Sequence, residues 1–278
     1  MQPAMPSRTA MRVALRRAAH QLVDDPVVFR DPLATLIIGT AAAANLRAPQ
    51  RLSSRTLRAF LVARSQYAEE VLARGVTQGV TQYVLLGAGL DTFAYRNPYP
   101  GLRVFEVDHP ATQHWKLTLL AEAGIAVPSS TTHVPVDFEH QVLASELIGS
   151  GFDPQQKTFF AWLGVVPYLT AEAFHATLDV IASQPEGSGF VMDYSLPRES
   201  LPFFEKLALD SLSARVAAAG EPFQLFFDPE KLGQLLRLKN FKAIEDLDGH
   251  SINQRFFADR QDGLSVLGAA GHLLSAWR

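Results

Sequence analysis

The stretch from Gln82 to Pro110, QYVLLGAGLDTFAYRNPYPGLRVFEVDHP, constrains this chain more than any other. An apolar strand runs into Gly87-Ala88-Gly89, a short connection follows, and a second apolar strand ends in Glu106 and Asp108. Glycines at a strand end let the backbone approach a ligand closely, and a carboxylate at the next strand end can grip a ribose. This is half of a nucleotide-cofactor site, and it belongs to an open α/β sheet.

The rest of the chain repeats that alternation. Apolar runs predict strands over 83–86, 103–107, 133–136, 158–163, 190–194, 242–246 and 273–277. Helical spacing predicts helices over 53–74, 111–123, 140–148, 171–183, 201–219 and 229–238. Thr170 before Ala171-Glu172, and Asp228 before Pro229-Glu230, supply helix caps. Strands alternating with helices imply a mainly parallel sheet covered on both faces. Residues 1–50 read as an alanine-rich helical cap cut by Pro26, Pro32 and Pro49. Residues 51–278 form the main domain, and an insertion near 195–225 joins the cap as an acceptor lid. No internal repeat or linker marks a second independent domain.

Composition removes several classes. Net charge is −3 and the longest basic run is Arg16-Arg17, so the stripe that nucleic acid binding needs is missing. With no cysteine there is no disulfide, thiolate metal site or cysteine nucleophile, and a cytosolic setting is compatible. Uncharged runs fall short of the roughly 18 apolar residues of a spanning helix. The basic, acid-free first twenty residues mimic a transit peptide but lack the apolar core of a secretory signal, and are read as an amphipathic cap helix. Histidine spacing gives no metal site, and serines occur without a nucleophile elbow.

The kind of nucleotide follows from the loop. Asp108 lies about twenty residues beyond the glycines, where a ribose-binding carboxylate belongs. Glu106 and Asp108 share strand parity, so both are expected on one side of the strand. A dinucleotide fits less well, because Thr92 stands where a third glycine is wanted and Pro98 and Pro100 break the connection. A pyrophosphate wants the N-terminus of a sustained helix. S-adenosylmethionine has no phosphate, and Asp91 could face its cationic methionyl end. Arg64 shares a helical face with Leu57, Phe60, Tyr67 and Val71, and its planar fork suits a carboxylate such as the methionyl group.

LLGAGLDTFAYR, followed by VFEVDHP and WK, resembles the leucine carboxyl methyltransferase-like family of S-adenosylmethionine-dependent O-methyltransferases. The likeness extends through VARSQYAEEVLARG, VPVDFE, FFAWLGVVPYLT and the cap sequence, with polyketide-type bacterial members in view. It implies the class I methyltransferase fold, a seven-stranded, mostly parallel sheet with one antiparallel strand near the C-terminus. It implies S-adenosyl-L-methionine as cofactor, and methylation of a carboxyl or hydroxyl oxygen on a small molecule, polyketide-like or another secondary metabolite. It further implies Arg64 on the methionyl carboxylate, Asp137 accepting from the adenine amino group and Phe138 packing beside it. Leu163 stands where some members have Glu, and Phe93 where many have Arg, which weakens any carry-over of protein-carboxyl recognition.

Gly164 and Tyr168 lie just past the fourth strand, where ligands bind in open α/β sheets. His20 and Tyr168 are candidates for the acceptor side, with His109 beside the site, and no residue is assigned as general base. Two other readings stand beside methyl transfer. One is a methyltransferase-like binding protein without turnover. The other is a nicotinamide-dependent oxidoreductase, which lacks its Y-x-x-x-K pair here.

Overall fold

A computed structural model describes residues 7–47, 52–138, 141–218, 220 and 222–278. The outer ends of the 1–50 cap with Pro49, the first residue of the predicted 140–148 helix and two positions inside 195–225 lie outside the described residues.

One sheet organises the chain. Its strands are β1 (Gln82–Leu86), β2 (Arg103–Asp108), β3 (Thr131–Pro135), β4 (Thr158–Trp162), β5 (Gly189–Ser195), β6 (Ala243–Leu247) and β7 (Gly271–Trp277). Their order is β3-β2-β1-β4-β5-β7-β6. The first five are parallel, and β7 runs antiparallel to both β5 and β6. Each predicted strand is present, displaced by no more than a few residues at its ends. The central strands are legible because a parallel strand is buried on both faces and reads as an unbroken apolar run, as in β1 and β4.

Side chains alternate between two cores. Tyr83, Leu85, Phe159 and Ala161 pack on α4 (Leu52–Thr77), whose Ala59, Val62, Ala63 and Tyr67 face them. Val84, Leu86, Phe160 and Trp162 face the other way, against α6 (Leu143–Gly149), α7 (Ala171–Ala182) and α9 (Pro229–Leu238). Trp162 and Phe174 stack at 5.2 Å, and each such buried ring contributes roughly 1.5–3 kcal/mol by removal from water. The predicted caps form: Thr170 accepts from the Ala173 N–H and Asp228 from that of Lys231.

The cap is α1 (Arg8–Val23), followed by the short α2 (Ala34–Ile37) and α3 (Thr40–Ala44). Ala14, Ala18, Ala34, Ile37 and Ile38 enclose Leu90 of the glycine loop and Leu120 of α5 (Pro110–Glu122). Small residues on α1 therefore seat the cap directly over the loop after β1. The predicted 201–219 helix is α8, Phe203–Ala217. One helix was not predicted, α10 (Gly249–Phe256). It offers little apolar periodicity, and its legible signal is the Asp248 cap on the Ser251 N–H.

β1 connects outward to β2, while β4 lies on its other side. The chain thus reverses direction between β1 and β4, and the loops beyond their C-terminal ends flank a crevice, the standard ligand position in such sheets.

Candidate functional site

The crevice starts at the glycines. Gly87 has φ +66° and its N–H donates to the Val107 carbonyl at 2.8 Å. A Cβ on Gly87 would lie 2.3 Å from Val165 Cγ2, so only hydrogen fits beside the β4 loop. Gly89, at φ +48°, donates its N–H to Asp108 Oδ2 at 2.5 Å, and Asp108 Oδ1 accepts from the His109 N–H at 2.7 Å. Burial raises the Asp108 pKa, against the opposing pull of those two N–H groups. Beyond Gly89 the loop holds one 3₁₀ turn, Phe93–Tyr95, and no sustained helix follows the glycines directly. The loop therefore lacks the helix N-terminus directly after the glycines on which a dinucleotide's pyrophosphate sits.

Asp91 sits in the loop but is already answered. Its Oδ2 receives Arg17 Nη1 from the cap at 2.9 Å and its Oδ1 the Phe93 N–H at 2.7 Å. Burial pushes its carboxyl up, yet Arg17, then Arg96 and Lys116, outweigh burial and hold it below the ordinary range. Instead of awaiting a cation, Asp91 ties the loop to α1.

Arg64, from α4, crosses beneath the β4 loop. Its Nη1 donates to Asp193 Oδ2 at 2.9 Å, and Asp193 Oδ1 accepts the Gly164 N–H at 2.5 Å. Gly164 has φ +69°, and a Cβ there would stand 2.8 Å from Arg64 Nη1. Arg64 is 7% exposed, and its Nε is buried without a partner. A buried guanidinium edge left unbonded costs desolvation that a carboxylate could offset.

Two predicted residues are fully buried away from the crevice. Glu106 does share a side with Asp108, but it lies one repeat deeper in β2 and is fully buried. It accepts from Lys116 Nζ at 2.8 Å and from the Tyr95 hydroxyl at 2.9 Å, so its carboxylate is spent inside the fold. His20 is also fully buried. Its Nε2 accepts the Val28 and Phe29 N–H groups at 2.9 and 3.2 Å, which places its proton on Nδ1, facing Asp24 at 2.8 Å. It fixes the turn after α1 and does not reach the crevice.

The crevice widens into a cavity of about 860 Å³. Arg64, Gly87, Ala88, Gly89, Asp91, Asp108, Phe138, Gly164 and Tyr168 line it, as do His109 and Leu163. Asp137 is half-buried next to Phe138 and does not line it. Phe93 points into the core against Tyr83, so its exchange for Arg does not alter the cavity wall. Tyr168 packs its ring on Phe223 at 5.2 Å. The outer wall comes from α1 and α8, through Arg12, Arg16, Leu209, Leu212 and Arg215.

Sequence reasoning missed Asp193, Arg17 and these outer arginines. Asp193 had a signal, a single acid inside the otherwise apolar β5. Arg17 was visible only as part of a basic helix.

A family model described as leucine carboxyl methyltransferase matches residues 10–182. YktD of Bacillus subtilis, provisionally named an S-adenosyl-L-methionine-dependent methyltransferase, is 32% identical over 287 residues, covering 94% of each chain. A similarly named Frankia alni protein is 33% identical over 183 residues, covering 63% of each. Among solved structures, a DUF574 family protein from Streptomyces avermitilis matches with TM-score 0.57 at 17% identity, over 95% of this chain and 96% of that one. A Thermobifida fusca protein provisionally named a methyltransferase also gives 0.57, at 18% identity, over 100% of this chain and 96% of that one. Magnesium protoporphyrin IX methyltransferase of Synechocystis, crystallised with S-adenosylhomocysteine, gives 0.50 at 13% identity, over 83% and 89%. At those identities the structural matches show a shared fold.

Proposed function

The chain belongs to the leucine carboxyl methyltransferase family and is an S-adenosyl-L-methionine-dependent methyltransferase, and we propose that it methylates a carboxylate oxygen of a small molecule. The observation that carries the choice of acceptor is that, among the described residues, the acids and the imidazole on the cavity wall already hold hydrogen-bond or ion-pair partners. Asp91 and Asp193 are ion-paired with arginine, and Asp108 and Glu205 accept backbone N–H groups. Among the described residues His109 is the single imidazole on the wall, and its Nδ1 lone pair accepts the Ala111 N–H at 3.2 Å. An acceptor already ionised at neutral pH needs no base, whereas an alcohol does.

The wall residues fit the cofactor. The unbonded edge of Arg64 would take the methionyl carboxylate, the Gly87–Gly89 backbone allows close approach, and Asp108 would accept from the ribose hydroxyls. Phe138 would pack on the adenine, with Asp137 beside it to accept from the amino group. Asp91 would act through Arg17, keeping the loop seated under the cap. S-adenosylmethionine brings an activated methyl group, so the protein's share is alignment and exclusion of water. The cap and α8 would supply that exclusion as a lid, a role we assign to residues 1–50 and 195–225.

The test uses cofactor labelled in its methyl group, offered with a panel of small carboxylic acids and the matching alcohols. A methyl ester releases labelled methanol in mild alkali and an ether does not. Alkali-labile product supports the carboxylate reading. Alkali-stable product would move the acceptor to a hydroxyl and require His109 to leave its cap.

A further inference from the structure

Three arginines face the outer half of the cavity, Arg12 and Arg16 from α1 and Arg215 from α8. Among the described residues none of them has a carboxylate partner. Arg16 Nη1 donates only to the Arg12 carbonyl at 3.0 Å, Arg215 Nε only to the Ser211 carbonyl at 3.1 Å, and Arg16 Nε is buried with no partner. By contrast, every acid on the wall among the described residues has a partner: Asp91 and Asp193 an arginine, Asp108 and Glu205 backbone N–H groups. Among the described residues five arginines and four acids line the cavity, and Arg12, Arg16 and Arg215, converging from two separate elements, are the arginines left without a carboxylate partner. Burial, and then the proximity of Arg215, Arg12 and Arg58, lowers the pKa of Arg16, the behaviour of a cation crowded by like charge.

We propose that the methyl acceptor carries a second anionic group, a carboxylate or phosphate, which Arg12, Arg16 and Arg215 hold at the mouth of the cavity. The inference rests on the methyltransfer reading above and adds to it a feature of the substrate. Exposure places the clamp: Arg12 and Arg215 are exposed at the rim, whereas Arg64 and Gly164 lie at the strand ends on the floor. The clamped group is also not the one that reacts. The clamp sits at the rim, whereas the methyl donor would lie at the strand ends on the floor. Leu209, Leu212 and Phe223 line the wall beside the clamp, so the body joining the two groups is apolar in part.

The test measures binding of octanoate, octyl phosphate and octan-1-ol by titration calorimetry, with and without saturating S-adenosylhomocysteine. It is run on the native chain and on Arg16→Gln, Arg215→Gln and the double variant, whose folding is checked by circular dichroism. At least one anion is expected to bind tenfold or more tightly than octan-1-ol, and the difference to shrink at least tenfold in the double variant. Which anion wins separates carboxylate from phosphate. S-adenosylhomocysteine affinity is expected to stay within threefold. Equal binding of anions and alcohol, or anion binding untouched by the variants, overturns the clamp. So does a parallel loss of S-adenosylhomocysteine affinity, which would assign the arginines to the cofactor. Failure of the native chain to bind S-adenosylhomocysteine at all would sink the methyltransfer reading, while the titrations without it still decide the clamp.

Discussion

Arg17 of the cap and Asp91 of the glycine loop form an ion pair at 2.9 Å, and the same guanidinium reaches Asp31 at 2.5 Å and the Thr92 hydroxyl at 3.0 Å. Burial alone would lower the Arg17 pKa, but Asp91 and Asp31 outweigh it and raise it. One buried cation therefore links α1, the turn after it and the loop after β1. Replacing it by Met takes from Asp31, which is fully buried, its nearest cation and leaves Arg96 Nε at 3.5 Å as the remaining one. Loss of one member of a buried pair costs about 3–5 kcal/mol. Arg17→Met is expected to lose that much in urea unfolding and to bind S-adenosylhomocysteine more weakly, because the cap seats the loop. A loss below 1 kcal/mol with unchanged affinity would reduce the pair to a surface contact.

Arg64 should tolerate no substitute. Lysine retains the charge but presents a point donor, and cannot hold Asp193 through one edge while offering another to a carboxylate. Arg64→Lys is expected to weaken S-adenosylhomocysteine at least tenfold. Decarboxylated S-adenosylhomocysteine, which lacks the group Arg64 would bind, should lose little further affinity in the variant. Equal losses for both ligands would mean that Arg64 acts only by supporting Asp193 and Gly164.

Asp108 sets a pH dependence. Its pKa is raised by burial in the folded chain, so the folded state binds more protons than the unfolded one between the ordinary and raised values. As far as Asp108 is concerned, stability of the free protein is greatest below the ordinary carboxyl range and falls as pH climbs to the raised pKa. Ligand binding has the opposite sign. Ribose hydroxyls donate to the ionised form, so affinity for S-adenosylhomocysteine should increase with pH through the raised value and then level off. Asp108→Asn should flatten that rise and lower the plateau by roughly tenfold, the size of one charge-assisted hydrogen bond. Calorimetry across the acid limb reads it directly, and an unchanged slope in the variant would exclude Asp108 as the titrating group.

Much of this was legible because local rules and the fold agree. β1 and β4 are unbroken apolar runs, and a doubly covered parallel strand has no other appearance. Gly87 and Gly89 mark the loop because they alone tolerate its positive φ values. Parity put Glu106 and Asp108 on one side correctly, but parity carries no depth, and one strand repeat separates a core carboxylate from a crevice one. His20 was misplaced for a related reason: its partners at Val28 and Phe29 depend on how the chain turns after α1. Asp193 and Arg64 are 129 positions apart, and nothing in a single sequence pairs them.

Gly87 offers the sharpest test of the crevice itself. A Cβ there would meet Val165 Cγ2 at 2.3 Å, and a β-branched side chain on the adjoining loop has little freedom to turn away. The backbone adds a second penalty, since φ +66° costs a residue with a Cβ about 1–2 kcal/mol. The two penalties separate in a double-mutant cycle. Gly87→Ala should destabilise by more than about 2 kcal/mol, combining that backbone cost with overpacking. Adding Val165→Ala removes the methyl in the way and should recover the packing share, leaving roughly the 1–2 kcal/mol that belongs to the left-handed backbone. Simple additivity of the two variants would show that the β1 and β4 loops do not touch as described, and would remove the physical reason for glycine at the head of the cofactor loop.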